Sequence, residues 1–572
     1  MSASKTTNGK RHATQQSLNG AVKSICDIMR RSNCAGALQY VPELTWILFL
    51  RILDERESHE AERAEAVGAR FTPSLKAPYR WRDWAAPDGA KRKELANATA
   101  GEFFKFVTGE LLPHLKKLRD RPNAASRQKV ISEIMSGVDR TRIDTERNFL
   151  DVLDKVHEIS VETVDPTHVF TISQVYEGLL LKMGEKGNDG GQFFTPREVI
   201  RAVVKVIAPK VGEMVYDPGC GTCGFLAQSH EFMKTALGDH ATPDQIETLK
   251  RRTFYGREKD NAVYPIALAN LVLHEIDEPH IWHGNTLTGA ETYGGLFTDA
   301  PALFDVVLTN PPFGGKEGKD AQVRFSYKTG ATQVLFLQHV LNSLKHEGRC
   351  GIVLDEGVLF RTNETAFVQT KRKLLDDCNL WCIVSLPGGV FNAAGAGVKT
   401  NLLFFTKGKP TERIWYFDLS DIKVGKKTPF TLDKFADFFR LLPKRGDSER
   451  SWTVDIAARR REARREADAL RAQARKPEAE AAKLLEQLKD SKKSGKSSAA
   501  ALEKHEAKAK ELSREAEELK AKAKAIEDGA LDLKAVNPNR KNEEDQRTPA
   551  ELLDFIEAKG REVAEALTAL RK

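Results

Sequence analysis

The chain has 572 residues, of which 41% are hydrophobic and 30% charged, and a formal net charge of +8. That is apolar material for several packed domains, and it excludes a disordered or collagen-like chain. The mild positive balance permits a polyanionic partner without demanding one.

The seven cysteines are Cys26, Cys34, Cys220, Cys223, Cys350, Cys378 and Cys382. An odd, sparse count fits reduced thiols better than a disulfide framework. The first twenty residues, "MSASKTTNGKRHATQQSLNG", hold no apolar run, so no secretory signal is expected. "LTWILFLRIL" at 44–53 is the longest apolar stretch and is too short to span a bilayer. A cytoplasmic protein with no membrane association is expected.

Residues 1–20 read as a flexible tail. Over 21–165, apolar residues recur three and four apart, as in "SLNGAVKSICDIMRRS", which predicts a helical domain. Phe103, Phe104 and Phe106 in "GEFFKF" read as core. From 166 to 452 helical stretches alternate with short apolar runs: "MVYD", "TFYGRE", "FDVVLTN", "CGIVLDE", "LWCIVSLP" and "NLLFFTKG". The alternation predicts a doubly wound, mostly parallel α/β domain whose ligand sits at the C-terminal strand ends. Residues 453–530 turn to Ala, Glu, Lys, Arg and Leu and predict a charged helical hairpin or coiled coil, broken at Pro477 and turning at "SKKSGKSS". Residues 531–572 read as a linker and a closing amphipathic helix, with Thr548 as N-cap and Pro549 at its first position.

Two stretches carry chemistry. In "MVYDPGCGTCGF" a strand ends at Asp217, and a turn with Gly219, Gly221 and Gly224 leads into a helix. Glycines let the backbone approach a ligand, and a helix start offers free N–H groups. The next strand ends at Glu258, where an acidic residue takes ribose hydroxyls, so the pair suggests an adenosine-containing cofactor. The second stretch is "FDVVLTNPPFGG". Two prolines end a strand and fix a rigid corner. Asn310 can offer its side-chain oxygen and Pro311 its carbonyl, so two acceptors converge on an NH₂ group, and Phe313 supplies a ring for stacking. Acceptors on both N–H bonds of a base's exocyclic amine favour the tetrahedral nitrogen of the transition state.

Other readings compete. "NPPF" could be a plain turn. Cys220 and Cys223 form C-x-x-C at a helix start, as redox sites do, and Cys378 and Cys382 could join them on zinc. "SGKSS" lacks the strand and upstream glycine of a phosphate-binding loop. The basic hairpin could be a solvated pair, a docking arm or a DNA contact.

"DPGCGTCGF" followed by "NPPF" resembles the amino-methyltransferases that use S-adenosylmethionine, in their adenine-N6 form. "GQFFTPREV" at 191–199, "VYEGLLLKMGEKG", the helical start and the closing helix are similar to the modification (M, HsdM-like) subunit of type I restriction–modification systems. The resemblance covers about 20–450 and the last helix. It implies a Rossmann-like S-adenosylmethionine-dependent methyltransferase domain between a helical N-terminal domain and a helical C-terminal arm. It implies that Gln192, Phe193, Phe194, Thr195, Pro196 and Arg197 flank the cofactor. Asp217 and the turn of Gly219, Gly221, Thr222, Cys223 and Gly224 would cradle its methionine part, Glu258 its ribose and Asn285 its adenine. Cys223 stands where a smaller Gly or Ala is commoner, and Asn285 where Asp is. Asn310, Pro311, Pro312 and Phe313 would form the catalytic pocket. The implied partners are double-stranded DNA, a specificity (S) subunit, a second M subunit and a motor–nuclease (R) subunit; no metal is implied. An amine or amide methyltransferase acting on RNA or protein, and a catalytically silent helical scaffold, are the rival functions.

Overall fold

The computed structural model describes residues 15–32, 34, 37–159, 195–289, 300–391, 398–425, 428–494, 499–534, 536–539 and 548–570. Gln192, Phe193, Phe194, the "VYEGLLLKMGEKG" segment and residues 495–498 of the "SKKSGKSS" turn lie outside them. The N-terminal part is helical as expected, with α1 (Gln15–Arg30), α2 (Ala37–Ala66), α3 (Ser126–Met135) and α4 (Glu146–His157) as its main elements. The expected tail is too long, because α1 already begins at Gln15. Phe103 and Phe106 are buried in the core, and Phe104 packs against it beside Phe149.

A nine-stranded sheet follows, in the order β3-β2-β1-β4-β5-β7-β6-β8-β9. The strands are β1 (Val215–Asp217), β2 (Phe254–Glu258), β3 (His280–His283), β4 (Phe304–Thr309), β5 (Leu344–Asp355), β6 (Cys378–Ser385), β7 (Thr400–Lys407), β8 (Arg413–Asp418) and β9 (Ser451–Asp455). Only β7 and β9 run antiparallel to their neighbours. Alternation along β4 shows why both faces are covered: Val306 and Leu308 point into one core, Val307 into the other. One face carries α5 (Arg197–Ile207), α6 (Gly224–Leu237) and α7 (Val263–Leu273); the other carries α8 (Thr332–Ser343) and α9 (Thr365–Asp377). The N-terminal helices share the first of these cores, since α7 packs against α2 and α3.

Beyond β9 come α10 (Ile456–Ser494) and α11 (Ala499–Gly529), packed along each other as the expected hairpin. Ala467, Ala474, Ala481 and Leu488 are buried at seven-residue spacing, as are Ala509, Ala516 and Ala523. Small residues at that repeat let two helices approach closely. The expected break at Pro477 is absent: α10 is continuous through it. Pro477 is buried on the same seam, and packing along α11 holds the helix across one missing hydrogen bond. The stretch after 530 is likewise more than a linker, because Leu531 and Leu533 are buried in the sheet's second core. The closing helix, α12 (Pro549–Leu570), begins as predicted. The Glu551 N–H donates to the Thr548 hydroxyl at 3.3 Å, and the Thr548 N–H donates back to the Glu551 carboxylate at 2.7 Å. Among the described residues, no helix is long and apolar enough to cross a membrane.

Candidate active site

The strand order reverses between β1 and β4, which opens a crevice at their C-terminal ends. The glycine turn leaves β1 and the Asn-Pro-Pro-Phe corner leaves β4, so the two motifs meet there. In the turn, Gly221 has φ 52° and Cys223 has φ 63°, both left-handed. The Cys223 N–H closes the turn on the Cys220 carbonyl at 2.7 Å, and α6 starts at Gly224. A side chain at Gly224 would come within 2.7 Å of Ile200 Cδ1, so glycine there keeps the helix start tight against α5. Glu258 accepts from the Gly221 N–H at 2.9 Å and from the Asp260 N–H at 2.8 Å. The turn is therefore pinned to the end of β2.

At the end of β4, the Asn310 amide Nδ2 donates to the Thr195 hydroxyl at 3.0 Å. Its Oδ1 is buried and has no hydrogen-bond partner. A buried acceptor left empty costs about 1–3 kcal/mol, so it marks a place where an N–H group belongs. Pro311 is buried beside it. Phe313 is half-buried and meets Phe391 edge-on, with centroids 5.3 Å apart and planes at 89°. That contact fixes the ring's orientation.

One cavity of about 270 Å³ joins these groups. Of the residues expected at the site, Thr195, Asp217, Gly219, Gly221, Thr222, Gly224, Glu258, Asn285, Asn310, Pro312 and Phe313 line it. Pro196, Arg197, Cys223 and Pro311 do not: Pro196 and Arg197 open α5, and Cys223 is buried beneath the turn. Asn285 directs its side-chain oxygen to the Leu287 N–H at 3.0 Å, which shapes the loop after β3.

Several residues of the site carry no motif signal. Asn270 of α7 donates to the Thr222 carbonyl at 2.7 Å. Thr286 donates to the Pro218 carbonyl at 2.5 Å. Phe336 of α8 lies under Gly219, 3.5 Å from where a side chain there would begin. Glu317 lines the cavity just past the corner and accepts from the Thr332 hydroxyl at 2.9 Å. Asn270 and Phe336 come from helices distant in sequence, and Thr286 and Glu317 from loops beside the motifs, where residue type alone says nothing about a ligand.

Burial sets the electrostatics. It pushes the Asp217 carboxyl up to about 7, with the nearby Glu258 adding to it, against hydrogen bonds from Thr309 and the Gly219 N–H. Glu258 is raised by burial too. The Cys220 and Cys223 thiols are likewise raised by burial, which disfavours the thiolate a redox site needs. Cys378 and Cys382 lie on β6, with β4, β5 and β7 between them and β1, so they cannot share an ion with the turn.

Comparison with known proteins agrees with this arrangement. Residues 168–462 match the family described as N-6 DNA Methylase, and residues 18–156 match the HsdM N-terminal domain. The chain is 33% identical over 458 residues to the type I restriction enzyme EcoEI methylase subunit of Escherichia coli, covering 77% of this chain and 87% of that one. A crystal structure of a type I restriction enzyme modification subunit from Vibrio vulnificus YJ016 is 32% identical, with 78% and 93% of the two chains covered and a TM-score of 0.68. A chain solved in work on the assembly and conformational transition of the type I R-M system is also 32% identical, with 98% of each chain covered and a TM-score of 0.62. A cavity that joins a glycine turn to an Asn-Pro-Pro-Phe corner, and a likeness of this extent, lead to one conclusion: the chain belongs to the N-6 DNA methylases, among the methylase subunits of type I restriction enzymes.

Proposed function

We propose that the chain methylates N6 of an adenine flipped out of double-stranded DNA, as the modification subunit of a cytoplasmic type I restriction–modification complex. S-adenosylmethionine, when bound, supplies an electrophilic methyl group. The residues present fit that cofactor: the Gly219–Gly224 turn leaves room against the backbone, and Glu258 keeps lone-pair capacity beyond what it gives to the Gly221, Lys259 and Asp260 N–H groups. In this reading Thr222 and Asp217 lie at the methionine end, Glu258 at the ribose and Asn285 near the adenine ring. Pro196 and Arg197 act from the start of α5 and Cys223 from below the turn.

The observation that carries the reading is the empty, buried Oδ1 of Asn310. Asn310 Oδ1 and the Pro311 carbonyl accept the two N–H bonds of the target amine, and Phe313 stacks on the base. These contacts repay the few kcal/mol that extruding a base costs. The amine's nitrogen becomes acidic once methylated, so its proton leaves without a dedicated strong base.

A specificity subunit supplies sequence choice, gripped by the closing helix. Leu553, Phe555, Ile556 and Val563 of α12 are exposed, which suits a helix that completes a bundle with another chain. A second M subunit and a motor–nuclease subunit complete the assembly, as in type I systems. Methylation of RNA or protein amides is disfavoured by relatives named as restriction-enzyme methylase subunits.

The test is long-read modification mapping of DNA from cells expressing this chain with its neighbouring genes, beside an Asn310→Ala control. N6-methyladenine at one split motif, lost in the control, is expected. No new adenine mark despite a cofactor-binding complex would overturn the reading.

A further inference from the structure

The motif resemblance assigns Thr195 to the cofactor's flank, yet its side chain is bonded to the catalytic amide. We propose that Thr195 is a positioning residue that holds the Asn310 amide with its oxygen toward the target amine; this rests on the adenine-methylation reading. An asparagine amide has a donor end and an acceptor end, and rotation about its last torsion is soft unless something ties it. Facing the target with Nδ2 would set donors against donors. In the structure Nδ2 is held on the Thr195 hydroxyl at 3.0 Å, and the opposite end, Oδ1, is the buried unpartnered acceptor.

Both ends of this bond are stiff. Thr195 precedes Pro196 and Asn310 precedes Pro311, and a residue before proline is confined to extended backbone. Threonine is also restricted at its first side-chain torsion. Thr195 leads into α5, whose Val199, Ile200 and Val203 are buried in the core. The amide is thus clamped between two rigid corners, one from the cofactor-side segment and one from β4. A misplacement of about an ångström at such a group costs about 100-fold in rate.

The experiment uses the chain assembled with its specificity subunit and compares wild type, Thr195→Val, Thr195→Ser, Asn310→Ala and the Thr195→Val/Asn310→Ala pair. S-adenosylmethionine affinity is measured by equilibrium binding, and kcat for N6-methyladenine formation at saturating cofactor and DNA. Thr195→Val should lose at least about tenfold in kcat while its cofactor Kd stays within about twofold. Thr195→Ser should recover most of the loss, and the double variant should be no slower than Asn310→Ala alone. An unchanged kcat, or a raised cofactor Kd with normal kcat at saturation, would overturn the assignment and leave Thr195 at most a cofactor contact. If Thr195→Val does not fold, Thr195→Ala is read by the same criteria. A wild-type complex that binds cofactor but makes no N6-methyladenine would instead overturn the parent reading, and this role with it.

Discussion

The Glu258 carboxylate joins two turns through its two oxygens: Oε2 accepts the Gly221 N–H at 2.9 Å, and Oε1 accepts the Asp260 N–H at 2.8 Å. It therefore holds the shape of the cofactor turn as well as facing the cavity. Glu258→Gln would put an NH₂ group against one of those N–H donors. Cofactor affinity should fall at least about tenfold, the value of one charge-assisted hydrogen bond, with a small fall in melting temperature from the donor left unpaired. Titration calorimetry checks this; equal affinity would remove Glu258 from the cofactor site.

Asp217 gives a pH dependence. Burial first, and then Glu258, raises its carboxyl to about 7 from an ordinary 3.8. Its contribution to stability is therefore full below 3.8 and is lost as the pH rises through about 7. A net cationic cofactor favours the ionised carboxylate, so binding releases a proton. Affinity should rise about tenfold between about pH 6 and about pH 8. The Asp217→Asn variant should show a flat profile over the same range. A flat profile in the wild type would separate Asp217 from the cofactor.

Phe313 has a different signature. Phe313→Ala removes the stacking ring, which is worth about 1–3 kcal/mol per base. DNA binding measured on a duplex with 2-aminopurine at the target should lose its fluorescence rise, while cofactor affinity stays constant. An unaltered rise would mean the base stacks elsewhere.

The N-terminal helices are fastened to the catalytic domain by a half-buried charge network. Arg127 pairs with Asp277 at 2.8 Å, with Glu60 at 2.8 Å and with Glu57 at 3.2 Å, while Arg56 pairs with Asp277 and donates to the Val272 carbonyl. Burial would raise Glu60 and Asp277, but Arg127 and Arg56 outweigh it and hold both below their ordinary values. Their contribution is therefore present above the ordinary values of 4.5 and 3.8 and is lost as the pH falls below them. Arg127→Met leaves Glu57 without a cationic partner among the described residues and Glu60 and Asp277 with Arg56 alone, and should cost about 3 kcal/mol in urea unfolding at neutral pH. Its deficit should shrink from about pH 5 to about pH 3. A constant deficit would place the cost in packing rather than charge.

The sequence read well where local chemistry and periodicity agree. The six apolar runs became β1, β2, β4, β5, β6 and β7, and the two motifs met because a parallel sheet brings its strand ends together. The missed strands had weaker signals. β3 is four residues, "HIWH", and only its middle pair is buried. β8 is the exception, since "RIWYFD" holds a buried apolar run, Ile414 to Phe417, that belonged with the other six, whereas in β9, "SWTVD", only Ser451 and Trp452 are buried. Pro477 misled because a proline's local cost was outweighed by a seam visible only once α11 lay beside it. Asn270, Thr286 and Phe336 were illegible for the same reason: their roles exist only between segments that are far apart in the chain.

In this mechanism the Asn310 oxygen receives the target amine. The most direct test is single-turnover methyl transfer by the Asn310→Ala complex, measured together with its cofactor affinity. Transfer lower by at least about 1,000-fold, with cofactor Kd within about twofold of wild type, is the predicted result. Transfer within tenfold of wild type, or a loss explained wholly by weaker cofactor binding, would contradict it.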